Sequence, residues 1–117
     1  MSRPIAVPHP LPDPLIDLIA HRFRVLGEPM RIKLLERLRE GPATVHELQE
    51  ATRTSQQNVS KHLAVLADVG ILARRKDGNR VYYRIVDDGV LGLCEQVCGS
   101  VHAQLSALTA LVEASAP

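Results

Sequence analysis

A mainly α-helical fold carrying one small β-hairpin is what this sequence predicts, and three patterns predict it. Helical apolar spacing fills most of the chain, broken at short intervals by Gly and Pro. One pair of short β-prone runs flanks an Asp77-Gly78 turn signal. The last stretch repeats apolar residues at heptad spacing. A chain of 117 residues holds one compact domain, and with no Trp and a single Phe its core must come from Leu, Val, Ile and Ala. So short a chain buries only a modest fraction of its surface, so a core shared with a second subunit would stabilise it.

Residues 1–13 carry Pro4, Pro8, Pro10 and Pro12 without apolar periodicity, which reads as a flexible arm ahead of a domain over residues 14–114. From Pro14, residues Leu15, Leu18, Ile19, Phe23 and Val25 suggest a first helix ending near Gly27. Glu28-Pro29 opens a second, because the missing N–H of Pro is harmless in a first helical turn. Ile32, Leu34, Leu35 and Leu38 supply its apolar stripe, and Gly41-Pro42 ends it. Thr44 and Glu47 stand at capping-box spacing before a short helix over Val45 to Ala51. After a break at Thr52 to Thr54, Ser55 caps a fourth helix running to about Val69, with Val59, Leu63 and Leu66 inward and Gly70 closing it.

Two short helices joined by a tight turn make a helix-turn-helix, in which the second would be the groove reader. The runs from Ile71 to Lys76 and from Arg80 to Ile85 then flank Asp77-Gly78-Asn79, a hairpin with a polar, basic tip. A hairpin directly after such a helix is a wing, so the fold class narrows to a winged helix-turn-helix. The final helix follows Asp87-Asp88 as N-cap. Its residues Leu91, Cys94, Cys98, Val101, Leu105, Leu108 and Val112 recur at alternating spacings of 3 and 4. A strict seam at the end of so small a domain calls for a twin, giving a two-fold dimer.

Net charge is only +1, but its distribution is uneven. Between Arg53 and Arg84 seven basic residues stand against Asp68 and Asp77, a local +5, leaving −4 for the rest. A basic middle on a mildly acidic body is the footprint of a phosphate-binding surface. In the fourth helix Gln56, Gln57, Asn58, Ser60, Lys61 and His62 occupy the end expected to enter a major groove. Gln and Asn match the adenine edge, and Lys can hold guanine or phosphate. Thr54 and Ser55 suit phosphate at the helix start. In the wing, Arg75, Lys76, Asn79 and Arg80 would reach backbone or minor groove, adding affinity more than sequence choice. The expected partner is double-stranded DNA.

The runs "LGEPMRIKLLERL", "TSQQNVSKHLAVLADVGIL" and "RRKDGNRVYYRI" together resemble the ArsR/SmtB family of winged-helix repressors, over roughly Leu15 to Val112. The resemblance implies a homodimer, joined through its first and last helices, that occupies an operator and leaves it when an inducer binds. It also matches Ser55, Gln56, Gln57, Ser60 and His62 to the family's recognition helix, and Arg80 to its wing. Many members hold a thiophilic metal or arsenite through a cysteine pair on the first helix of the helix-turn-helix. Here that segment reads "VHELQEA" and holds no cysteine. The family's usual zinc pattern in the last helix, built from Asp, His and Glu or His pairs, is also not what stands here.

Cys94, Cys98 and His102 do stand at i, i+4 and i+8 of the last helix, neighbours on one face. Three readings stay open for them. The cysteines are small apolar seam residues, or they bind a thiophilic metal or metalloid such as Zn(II), Cd(II) or As(III) together with His102 or with the thiols of a partner subunit, or they form a redox or sulfur-species switch. A disulfide within one helix at this spacing is awkward, so oxidation would more naturally link two subunits. His9, His21 and His46 are scattered and assigned to no site.

Two cysteines this close are no secreted disulfide framework, and no charged-then-apolar leader opens the chain, so the expectation is a cytoplasmic protein. The longest uncharged stretch, Gln96 to Val112, contains His102, two Gln, two Ser and a Thr, which argues against a membrane span. No Gly-rich phosphate loop, nucleophile motif or carboxylate pair beside a histidine points to an enzyme. A winged fold can also serve as a protein-interaction module, but such a module has little reason to gather Arg74, Arg75, Lys76 and Arg80 around one hairpin tip.

Overall fold

The computed structural model describes residues 6–115. Most of the expected arm's first half, residues 1–5, therefore lies outside the described residues, and residues 6–12 carry neither helix nor strand. Five helices and three strands follow: α1 (Asp13–Leu26), α2 (Pro29–Leu38), β1 (Ala43–Thr44), α3 (Val45–Thr52), α4 (Gln56–Asp68), β2 (Leu72–Asp77), β3 (Arg80–Ile85) and α5 (Asp88–Ser115).

The helix starts are set by local chemistry. Glu28 caps α2 by accepting from the Arg31 N–H at 3.1 Å. Thr44 and Glu47 close the expected capping box on α3, with reciprocal bonds of 3.2 and 3.0 Å. Those bonds to Thr44 hold the Glu47 carboxyl below the ordinary carboxylate range. Ser55 Oγ accepts from the Asn58 N–H at 3.1 Å and starts α4. Arg53, between α3 and α4, takes a left-handed conformation with φ 54° and ψ 43°, which makes the turn of the helix-turn-helix tight.

The core sits where α2, α3, α4 and the sheet converge. Leu34, Leu48, Val59, Leu63, Leu66 and Ile71 are fully enclosed there, each burial contributing about 1.5–3 kcal/mol. Ile32 departs from the stripe expected on α2 and is 49% exposed. Two residues along a helix is a rotation of about 200°, so Ile32 and Leu34 cannot share a face.

The hairpin forms with a shifted turn. Asp77 pairs with Arg80, so the loop is Gly78-Asn79 and Asp77 belongs to the strand. Gly78 has φ +64°, which a two-residue hairpin loop demands at its first position. The sheet also gains β1, which pairs antiparallel with β3 through Ala43 with Tyr83 and Thr44 with Tyr82, giving the order β1-β3-β2. Arg74 stacks 5.8 Å from the centre of the Tyr83 ring and so braces the base of the wing.

Helix α5 runs for 28 residues. Its first turns pack on the domain through buried Val90 and half-buried Leu91, Leu93 and Cys94. Arg39, at the end of α2, pairs with Glu95 there. From Glu95 onward every described residue of α5 is exposed, including Val101, Leu105, Leu108 and Val112 of the heptad seam. No helix among the described residues is long and apolar enough to cross a membrane.

Candidate nucleic-acid interface

The outer face of α4 begins with Gln56 and Gln57 and continues through Ser60, Lys61 and Ala64, all exposed. Ala64 escaped the sequence reading because it carries no polar group. Its position seven residues after Gln57 puts it on the same face, where a bare methyl suits a thymine methyl. Thr54 and Ser55 lie at the helix start, but both hydroxyls already have partners. Ser55 caps the helix, and Thr54 Oγ1 accepts from Asn58 Nδ2 at 3.0 Å. Asn58 is half-buried, its amide turned back onto the turn.

His62 is the clear departure. It is 6% exposed, so it lies on the inner face of α4 and not on the face that would meet a groove. Its Nδ1 accepts from Arg31 Nε at 3.1 Å, while Nε2 lies 3.8 Å from the Glu28 carboxylate. Burial lowers its pKa, which the nearby Glu28 partly offsets and Arg31 and Lys61 reinforce. Burial and the Arg31 N–H donated to Nδ1 both favour the neutral imidazole, with Nδ1 as acceptor. Arg31 also donates through Nη1 to the Val25 carbonyl at 2.9 Å, so one guanidinium joins the end of α1, the start of α2 and the middle of α4.

A second arginine ties the other end of α4. Arg22 of α1 donates to the Val69 carbonyl at 2.7 Å and to Asp87 at 3.0 Å, linking the C-terminus of α4 to the segment that opens α5. Neither Arg22 nor Arg31 announces itself in the sequence, because the partners that tie them to α4 and Asp87 lie 65, 47 and 31 residues away. At the hairpin, Arg75, Lys76, Asn79 and Arg80 are all exposed beside the tip. The exposed Arg53 at the helix-turn-helix turn adds a further cation.

The thiols of α5 lie elsewhere. Cys94 is half-buried and Cys98 exposed, both unpaired with another sulfur. They border a cleft of about 320 Å³ formed by Phe23, Leu26 and Gly27 at the end of α1, Ile32 of α2, and Leu93 and Val97 of α5. Burial raises the pKa of Cys94, opposed by the positive charge of Arg39. His102, two helical turns beyond Cys94, does not line this cleft. Among the described residues, no three His, Cys, Asp or Glu side chains come together as a metal site, so the expected Cys94, Cys98 and His102 set is not assembled within one protomer.

A family described as a helix-turn-helix domain matches residues 26–75. The chain is 33% identical over 97 residues to the HTH-type transcriptional regulator KmtR of Mycobacterium tuberculosis, covering 82% of this chain and 75% of that protein. It is 36% identical over 80 residues to the HTH-type transcriptional repressor SmtB of the same species, covering 68% of this chain; the match spans 59% of that repressor's length. The fold superposes with a TM-score of 0.74 on the solution structure of a homodimeric winged helix-turn-helix DNA-binding domain, Mb0332 of Mycobacterium bovis, described as a possible ArsR-family regulator. Identity there is 26%, over 86% of this chain and 95% of that one.

Proposed function

Because this chain belongs to the ArsR/SmtB family of winged helix-turn-helix transcriptional regulators, we propose that it is a cytoplasmic homodimeric repressor. It sits on duplex operator DNA and is released when a thiophilic metal or metalloid, or an oxidant, reacts at Cys94 and Cys98. It is a regulator and not an enzyme; its relatives carry the names of transcriptional regulators and repressors.

The observation that carries the reading is an exposed, amide-rich face on α4 followed directly by a hairpin whose tip is basic. Gln56, Gln57, Ser60 and Lys61 supply base-edge contacts in the major groove, and Arg75, Lys76, Asn79 and Arg80 supply phosphate and minor-groove contacts. His62 drops out of the contact set, and Thr54, Ser55 and Asn58 serve chiefly to hold the helix start. Support for the dimer comes from the exposed heptad seam of α5 and from the homodimeric relative.

The test is a fluorescence anisotropy titration of the reduced protein onto DNA from upstream of its own gene. Zn(II), Cd(II), As(III) and a thiol oxidant are added in turn, with Cys94→Ser/Cys98→Ser as control. Tight, salt-dependent binding is expected, with release by one of these agents that the double variant ignores. Binding that ignores salt would remove the DNA reading in favour of a protein-interaction module. DNA that stays bound under every agent would leave the cysteines as packing residues.

A further inference from the structure

Three helices meet at one guanidinium. Arg22 of α1 donates through Nη2 to the carbonyl of Val69, the C-cap of α4, at 2.7 Å. Through Nη1 it donates to Asp87 Oδ2 at 3.0 Å. The other carboxylate oxygen, Oδ1, accepts from the Gly89 N–H at 3.0 Å and so caps α5. Each charge suits its place, a cation on the closing carbonyl of α4 and an anion at the opening of α5. Val86 and Asp87 are all that separates β3 from α5. The fork therefore stands at the joint between the recognition helix and the long last helix.

What the fork fixes is an angle. Buried Val90 seats the first turn of α5, and the Val86 N–H donates to the Ile71 carbonyl at 2.9 Å. Both contacts lie at the root of α5, where they act as a pivot. A planar guanidinium bonded on two sides holds its partners in one relative orientation. With side chains 43% and 32% exposed, the pair of Arg22 and Asp87 adds little stability, so its part is direction. Direction matters because α5 is a lever. Leu105 lies 17 residues (105 − 88) into it, about 26 Å along the axis. A swing of about 10° at the root moves that point by about 4 Å, more than the roughly 3.4 Å between successive base pairs.

We infer that Arg22 is a specificity-determining residue: by clamping the end of α4 to the start of α5 it sets the distance between the two recognition helices of the dimer, and hence the half-site spacing that the protein accepts. This role rests on the reading of the protein as an operator-binding dimer paired through α5, and adds the side chain that chooses the spacing. Paired recognition helices need half-sites at one separation, about 34–36 Å for a single turn of DNA. The gain from binding twice vanishes when both cannot engage at once. The outer face of α4 selects bases, and Arg22 selects the separation at which two copies of α4 bind together.

Two variants isolate the clamp. Arg22→Met removes both bonds and keeps the length of the side chain. Asp87→Asn spares the cap, since Asn caps a helix as well as Asp. Its amide nitrogen then replaces the oxygen that faces Arg22, and two donors meet. The experiment uses the full chain and labelled duplexes from upstream of its own gene. These carry the protected segment at its native half-site spacing, with one or two base pairs inserted or removed between half-sites, or with one half-site alone. The unaltered protein is expected to lose at least about tenfold on each altered spacing. Both variants should bind the native spacing more weakly, yet differ by less than about threefold across the spacing set, and remain dimers by sedimentation equilibrium. Damage to the fold alone would weaken every duplex by one factor and leave the ratios intact. Ratios as steep as in the unaltered protein, or relaxed ratios that come with dissociation into monomers, would overturn the role of Arg22. If Arg22→Met does not fold, Asp87→Asn decides alone. An unaltered protein that binds a single half-site as tightly as the pair would instead overturn the dimeric reading, and the role of Arg22 falls with it.

Discussion

His62 illustrates how much a single residue's phase on a helix decides. It lies three residues after Val59 and four before Leu66, both fully enclosed, so helical geometry alone places it on the inner face. The information was in the sequence; the residue's polarity argued the other way and misled. Its burial has a consequence for acid. A histidine whose pKa is lower in the folded state binds fewer protons there than in the unfolded chain. The contribution is therefore complete above the ordinary imidazole pKa and is lost as pH falls through the lowered folded value. Protonation at Nδ1 would also set two cations, His62 and Arg31, against each other. Thermal midpoints measured from pH 8 down to pH 5 should fall, and His62→Leu should fall less over that range; parallel curves would contradict the assignment. On the outer face, Gln57→Ala should cost about 1–3 kcal/mol on operator DNA and little on random DNA, whereas Arg80→Ala should weaken both and reduce the salt slope by about one. Anisotropy titrations across salt concentrations separate the two roles.

The elements divide by how local their causes are. The capping box at Thr44 and Glu47, the Ser55 cap and the heptad seam all arise from residues a few positions apart, so each was readable before any fold was known. Strand β1 was not, because two residues carry no periodicity and Ala43 becomes a strand only by pairing with Tyr83, 40 positions on (83 − 43). The hairpin was readable as a hairpin, but Asp77-Gly78 and Gly78-Asn79 are both competent loops, and pairing of Asp77 with Arg80 selects the second. The left-handed Arg53 was hidden for a similar reason: Gly or Asn would have signalled that conformation, and Arg does not. Arg53→Gly should accordingly stabilise the fold by about 0.5–1 kcal/mol, the relief of the left-handed backbone exceeding the entropy that Gly adds to the unfolded chain. Urea unfolding measures it, and a loss of stability would mean that the Arg53 side chain holds something the backbone argument ignores.

At the scale of the molecule, the chain is more extended than one closed domain would be. Its radius of gyration is 17.9 Å, against about 13 Å for a compact chain of this length. The excess is the outer part of α5, where Leu105 and Leu108 are 59% and 58% exposed. The exposed apolar seam was legible in the sequence, and the twin expected to cover it remains part of the proposed function. The sequence could not predict the two arginine ties, since Arg22 to Asp87 and Arg31 to His62 join segments that only the folded chain brings together. Leu105→Glu with Leu108→Glu should leave the winged domain folded and the protein monomeric by sedimentation equilibrium, with operator binding weakened by an order of magnitude or more, about 1.4 kcal/mol per factor of ten. A dimer that survives both changes would locate the subunit contact away from this seam.

If the proposed pairing through α5 holds, the length of that helix that leans on no part of its own protomer also makes copy number an input. Where protomers are scarce relative to their pairing strength, the paired form follows the square of supply, so halving expression leaves about a quarter of the competent species. Dilution at cell division, or a lapse in synthesis, would then open the regulated gene with no chemical signal arriving at all.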